Sequence, residues 1–262
     1  MLRAAPLRDG RRLTVRASLV FADMAEVLLV HGAWHGGWCW REVADQLTAA
    51  GHRVVRPTLS GLADRSHLLS PAVNLDTHIA DIVLTVEFEE MDEVVLVCHS
   101  YGGVPGVGAA DRLADRCAAL VLLDAMLPID AMSSNEVRNR IGPARPLDLS
   151  HPLVVPPPSA TVFGLTGAAA RRVDTLLTPH PLGTLTQPIR LTGAYEGIGV
   201  KRYHRATRYE AGYFDDAAQR ASDQGTWQVS DHDLDHDMML TDPAWTVATI
   251  EDAIAATRGR RT

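Results

Sequence analysis

The run Val94-Val95-Leu96-Val97-Cys98 carries no polar residue on either face and passes without a break into His99-Ser100-Tyr101-Gly102-Gly103. A strand with one face in water alternates polar and apolar residues, whereas an unbroken apolar run is a strand covered on both faces. Such a sheet needs helices as its cover. Similar runs stand at 26–30 (EVLLV) and 117–125 (CAALVLLDA), and strand texture recurs at 52–59, 200–207 and 225–230. Helical patterns separate them: 41–51, closed by Gly51, then 75–88, 104–116, 214–221 and a last helix starting near Pro243. This alternation predicts an α/β fold, a mostly parallel sheet flanked by helices.

The texture changes after Asp124. Ten of the 15 prolines lie between Pro128 and Pro188, and so many fixed φ angles and missing donors exclude core strands there. Residues 129–190 are therefore expected to form an inserted cap of short helices and loops, between core segments 24–128 and 191–262. Residues 1–23, rich in Arg and nearly free of acid, read as an extension before the first strand at Met24.

The net charge of −7 excludes a phosphate-binding surface, so neither nucleic acid nor an anionic membrane is an expected partner. Three unpaired cysteines, Cys39, Cys98 and Cys117, fit a reducing compartment, and a cytoplasmic location is expected.

A buried strand running into Ser-Tyr-Gly-Gly and then a helix is the setting of a nucleophile elbow, here written Cys98-His99-Ser100-Tyr101-Gly102. The strained turn demands small residues two places before and after the serine. Gly102 meets this demand and Cys98 does so only in part. Ser100 is the candidate nucleophile; Cys98 reads as a small buried hydrophobe and His99 as a packed histidine. A serine hydroxyl needs a base, and "DHDLDHDMMLTDP" offers His232 and His236 just before the final helix. His236 is the expected base. The two histidines, four apart among aspartates, would also suit a metal, but no further Cys or His pair lies nearby, and neither metal nor cofactor is expected. The amides of Tyr101 and of Ala33, in the loop His31-Gly32-Ala33, are the candidate oxyanion donors. Of Trp34, Trp38 and Trp40, only Trp34 is expected to face the site.

With "LLVHGAWHGGWCW", "CHSYGG", "LLDAMLP" and "DHDMMLTDP" in this order, residues 25–258 resemble the α/β-hydrolase superfamily, in particular the branch of plant methylesterases, hydroxynitrile lyases and bacterial relatives. The resemblance implies a cofactor-free serine hydrolase that cleaves a small carboxylic ester through an acyl-enzyme. A hydroxynitrile lyase or other cofactor-free lyase is the alternative, and a non-catalytic receptor a third reading. Ala33, His99 and Asp237 stand where the lyases carry a threonine, an acid and a lysine, which favours the esterase.

Two carboxylates compete for the third catalytic position. Glu210 lies near the acid's usual place in the branch, although the position that matches the plant esterases' aspartate is Tyr209. Asp124 ends an apolar strand, and a carboxylate buried there needs a partner such as the His236 imidazolium. Asp124 is the expected acid and Glu210 the alternative.

Overall fold

A computed structural model describes residues 24–141 and 147–259; the expected extension at 1–23 lies outside them. β1 (Glu26–Val30), α1 (Arg41–Ala49), β2 (Arg53–Val55), α2 (Leu75–Phe88), β3 (Val94–His99), α3 (Gly103–Arg112) and β4 (Cys117–Leu123) follow in turn. The chain then leaves the sheet for α4 (Ser134–Asn139), β5 (Val154–Val155), α5 (Gly167–Asp174), β6 (His180–Pro181) and α6 (Leu182–Thr186). It returns with β7 (Val200–Ala206), α7 (Gly212–Asp223), β8 (Gln228–His232), α8 (Met238–Thr241) and α9 (Pro243–Arg258). The sheet order is β2-β1-β3-β4-β7-β8, with every neighbouring pair parallel. Strand progression reverses between β1 and β3, and at such a reversal a crevice opens beyond the carboxyl ends of the strands.

Because side chains alternate along a strand, each unbroken apolar run feeds both faces of the sheet. Leu28, Val30, Leu96, Cys98, Leu120 and Leu122 meet Ile79 and Ile82 of α2, Val107 of α3 and Phe214 of α7. Their neighbours Val27, Leu29, Val95, Val97, Ala119, Val121 and Leu123 meet Val43 and Leu47 of α1 and Ile250 and Ile254 of α9. β7 breaks the pattern: all seven positions are buried, yet Lys201, Arg202, His204 and Arg205 are among them.

Local chemistry sets the element ends. The Asn74 side chain accepts from the Thr77 amide while the Thr77 hydroxyl accepts from the Asn74 amide, opening α2. Asp242 accepts from the Trp245 amide ahead of Pro243 and opens α9. Three boundaries differ from the sequence reading. β2 pairs over only three residues, Arg53 to Val55, before Pro57 removes a ladder donor. α3 stops at Arg112, not Arg116. β8 starts three residues and ends two residues later than expected, because Gly225 turns at φ 67° and Trp227 packs into the core, so that Gln228 opposes Arg202. His232 therefore ends a strand and does not lie in a loop after it. In the segment between β4 and β7 a two-residue antiparallel ladder joins β5 to β6, apart from the main sheet.

Candidate active site

Ser100 sits at the carboxyl end of β3 with φ 54°, in the left-handed region that disfavours a side chain. A short 3₁₀ turn over 100–102 then leads into α3. The turn brings the β1 loop against the serine: a Cβ added to Gly32 would lie 2.8 Å from Ser100 Cβ. Cys98, larger than the elbow's usual residue, is accommodated from the helix side. A Cβ at Gly106 would meet its Sγ at 2.2 Å, so the space lost to Cys98 is recovered at Gly106. Burial pushes the Cys98 thiol well above its ordinary pKa, away from thiolate chemistry.

The loop after β8 delivers His236, which is 3% exposed. Its Nε2 lies 2.9 Å from Ser100 Oγ, and its Nδ1 lies 2.5 Å from Asp124 Oδ2. Aromatic rings hold the imidazole: Tyr209 stacks on it at 4.3 Å between centroids and Phe214 at 5.2 Å. Tyr209 thus occupies the flank of His236 with a ring, while the carboxylate that meets His236, that of Asp124, comes from the end of β4. Glu210 is exposed at the rim of the pocket, and its side chain makes no contact with His236 among the described hydrogen bonds. His232 lies elsewhere, with Nε2 3.1 Å from His204 Nδ1 and 2.9 Å from Ser230 Oγ.

Asp124 is fully buried, with φ 41°. Its Oδ1 accepts from Arg205 Nη1 at 2.8 Å and from the Ala206 amide at 3.1 Å, leaving Oδ2 for His236. Both oxygens of this buried carboxylate are thus used as acceptors, one of them facing a cation. Arg205 itself is shared, donating to Asp215 at 2.8 Å and to the Tyr209 carbonyl at 2.6 Å. Arg205 escaped the sequence reading; the available signal was four polar residues on a strand that must lie inside the sheet.

The loop after β1 carries two more residues that sequence reasoning left out of the site, His31 and His35, and β6 adds a third, His180. His31 Nε2 accepts from the Leu59 amide, which leaves Nδ1–H to donate to the Gly32 carbonyl at 2.8 Å. His35 lies 2.8 Å from the Ala33 carbonyl and 3.1 Å from Asp237 Oδ2. His180, from β6, accepts from the Trp34 amide at 3.3 Å. Burial drives His31 down to about 3 and His99 well below the ordinary histidine value, so both are neutral. His99 Nε2–H donates to the His236 carbonyl at 3.0 Å, which makes it a packed histidine beneath the base.

Ala33, Trp34, Ser100, Tyr101 and His236 open onto a cavity of about 390 Å³. Val155, Pro156, Pro157, Pro158 and Phe163 form one wall, and Tyr209, Tyr213 and Phe214 another. Trp34 lines the cavity, while Trp38 stacks on His35 at 5.4 Å and Trp40 is fully buried. Tyr101 is the second residue of the 3₁₀ turn, where an amide has no acceptor within the turn, and it lies beside Ser100. Among the described residues His99, His236 and Asp237 have potential ligand atoms within 4.8 Å of one another. Both His236 nitrogens and His99 Nε2 are already hydrogen-bonded to protein groups.

Comparison with known proteins gives a consistent picture. The chain is 36% identical over 232 residues to the carbendazim hydrolyzing esterase of Nocardioides sp. (strain SG-4G), covering 84% of this chain and 96% of that protein. It is 36% identical to methylesterase 7 of Arabidopsis thaliana over 108 residues, 40% of this chain and 42% of that one. An extracellular α/β-hydrolase from a Paenibacillus species superposes with a TM-score of 0.74 at 21% identity, over 87% of this chain and 98% of the other. Residues 27–249 match the alpha/beta hydrolase family as a whole, and to that family the chain belongs.

Proposed function

We propose that Ser100, His236 and Asp124 act as a catalytic triad in a carboxylic ester hydrolase, with the amides of Ala33 and Tyr101 as its oxyanion hole. The observation that carries this is the continuous chain Ser100 Oγ–His236 Nε2, 2.9 Å, and His236 Nδ1–Asp124 Oδ2, 2.5 Å, at the floor of an apolar cavity. Ser100 Oγ attacks the acyl carbon as His236 Nε2 takes its proton, and the oxyanion forms between the two amides. His236 then gives that proton to the departing alcohol, leaving an acyl-serine. Water, deprotonated by the same nitrogen, attacks the acyl carbon and releases the acid.

Residues 129–190 act as the cap, since Arg138, Val155 to Pro158, Phe163 and Leu185 all border the cavity. Six aromatic side chains around some 390 Å³ suit a small ester with a flat apolar body. The reaction named for the Nocardioides relative puts carbendazim in the assay panel. No described helix is long and apolar enough to cross a membrane, and the three cysteines are buried free thiols, which agrees with a cytoplasmic setting.

The test is cleavage of short p-nitrophenyl esters by the purified protein and by Ser100→Ala. The variant should lose about 10³-fold or more in kcat, because a triad works as a unit. Equal turnover by the variant overturns the assignment. Release of cyanide from a cyanohydrin without ester turnover would favour the lyase, and failure of a fluorophosphonate to label Ser100 would favour a receptor.

A further inference from the structure

The oxyanion loop is held in place by imidazoles, and one of them carries a charge. His35 is 1% exposed and Asp237 is 0% exposed. Nδ1 of His35 faces the Ala33 carbonyl at 2.8 Å, and Nε2 faces Asp237 Oδ2 at 3.1 Å. A carbonyl and a carboxylate only accept, so both ring nitrogens must carry hydrogen. The same pair ties two catalytic loops together, because Ala33 belongs to the oxyanion loop and Asp237 directly follows His236.

The peptides flanking the Ala33 α-carbon are gripped at three points. The Ala33–Trp34 peptide is held at its carbonyl by His35 and at its amide by His180 Nδ1, 3.3 Å away. The preceding peptide, which bears the Ala33 N–H, is held at the Gly32 carbonyl by His31. We propose that His35, paired with Asp237, is a positioning residue for ester hydrolysis, and that it keeps the Ala33 donor aligned only while its ring holds both protons. This rests on the reading of Ala33 as an oxyanion donor.

The groups around the pair are consistent with one extra proton there. Trp38 and Phe163 cover the His35 ring at 5.4 and 5.5 Å. His99, with Nε2 3.8 Å from Asp237 Oδ1, is held neutral by burial, as is His31. The Cys39 thiol is pushed well up by burial and stays uncharged. His236 uses both ring nitrogens on Asp124 and Ser100, and Arg56 is occupied with the Gly37 carbonyl. Burial alone would lower the pKa of His35, but the Asp237 charge together with the hydrogen bonds to Asp237 and to the Ala33 carbonyl outweighs it and raises the value. Burial pushes the Asp237 carboxyl up, and the His35 charge and hydrogen bond, with the neighbouring imidazoles, together more than reverse that.

The order of events on deprotonation follows from what each acceptor loses. A neutral His35 has one N–H for two acceptors. An unpaired buried carboxylate is costlier than an unpaired carbonyl, so the remaining proton stays on Nε2 and the Ala33 carbonyl is released. Because the folded pKa is raised, the grip is complete below the ordinary histidine range and is lost as pH rises through the folded value.

Asp237→Asn separates this from a purely structural role. An asparagine amide can donate to Nε2 of a neutral ring, leaving Nδ1–H on the Ala33 carbonyl at every pH. In the wild type, kcat for p-nitrophenyl acetate should fall about tenfold or more on the alkaline side with KM little changed, since a misaligned donor acts on the transition state. In Asp237→Asn that limb should be absent, with kcat flat to within about twofold over the same range. Ring nitrogen NMR of the wild type should show His35 with two N–H protons at pH 7 and one beyond the limb. Superimposable profiles, a flat wild-type profile, or a single His35 ring proton at pH 7 each overturn the proposal. Absence of any wild-type ester turnover sinks the hydrolase reading instead, and the NMR titration still decides the charge on His35, even if Asp237→Asn does not fold.

Discussion

Replacing Asp124 with asparagine preserves the shape of the site and reverses one hydrogen bond. The carboxamide oxygen of the Asp124→Asn variant would still accept from Arg205 and the Ala206 amide, as Asp124 Oδ1 does at 2.8 and 3.1 Å. The new NH₂ group would then take the place of Oδ2, which lies 2.5 Å from His236 Nδ1. A donor at that position forces the imidazole to carry its proton on Nε2. Nε2 then donates to Ser100 Oγ and cannot take its proton. The expected loss in kcat is about 10³–10⁴-fold, roughly 4–5.5 kcal/mol of transition-state stabilisation. Glu210→Gln, at an exposed rim position, should stay within about twofold of wild type, as surface changes usually do. Both variants would be assayed on p-nitrophenyl acetate by steady-state and burst kinetics, with thermal unfolding to confirm an intact fold. Asp124→Asn within tenfold of wild type, or Glu210→Gln losing as much as Asp124→Asn, would refute the reasoning.

Arg205→Met leaves the Asp124 anion, 0% exposed, without its cationic partner, and should cost about 3 kcal/mol or more in urea denaturation; a loss below about 1 kcal/mol counts against the buried pair. His31, His78 and His204 have pKa values lowered by burial to about 3, about 4 and about 4, so the unfolded chain takes up their protons first. Their contribution to stability is complete above about pH 6.5 and is lost as pH falls towards 4, each adding about 1.4 kcal/mol per pH unit; a urea midpoint that is flat from pH 7 to 5 contradicts this. Gly106→Ala places a methyl 2.2 Å from Cys98 Sγ and should destabilise by about 1–3 kcal/mol, with Cys98→Gly in the same chain restoring most of the loss. Simple additivity of the two changes would show that the contact is not the cause.

The sheet is legible in the sequence because β1, β3 and β4 are apolar on both faces, and only burial between helices satisfies such runs. Ser100 is legible for a related reason: a polar residue at the end of a buried strand, followed by glycines, has few structural uses. Asp124 and His236 are also within reach, since a carboxylate closing an apolar strand and a histidine ahead of a Pro-started helix each call for a partner. The remaining parts depend on pairings between distant residues. Arg205 meets Asp124 across 81 positions and His35 meets Asp237 across 202, and neither pattern shows in local periodicity. β7 shows the limit most clearly, because its charged residues imply an exposed strand until the acids that neutralise them are located in space. β8 is displaced towards the C-terminus for the same kind of reason, as strand register is decided by its neighbour.

Asp124 and Ser100 leave adjacent strands, with His99 opposite Leu123 in the ladder, so the sheet itself sets the distance between the proposed nucleophile and acid. On this assignment the loop after β7 is released from supplying a catalytic carboxylate. Tyr209, Glu210, Ala211, Gly212 and Tyr213 instead border the cavity. The stretch that a chain with its acid after β7 must keep fixed is here open to drift. An evolving or engineered lineage could vary Glu210, Ala211, Gly212 and Tyr213 to explore new substrates, with Tyr209 kept stacked on His236 and the proposed acid anchored in the sheet.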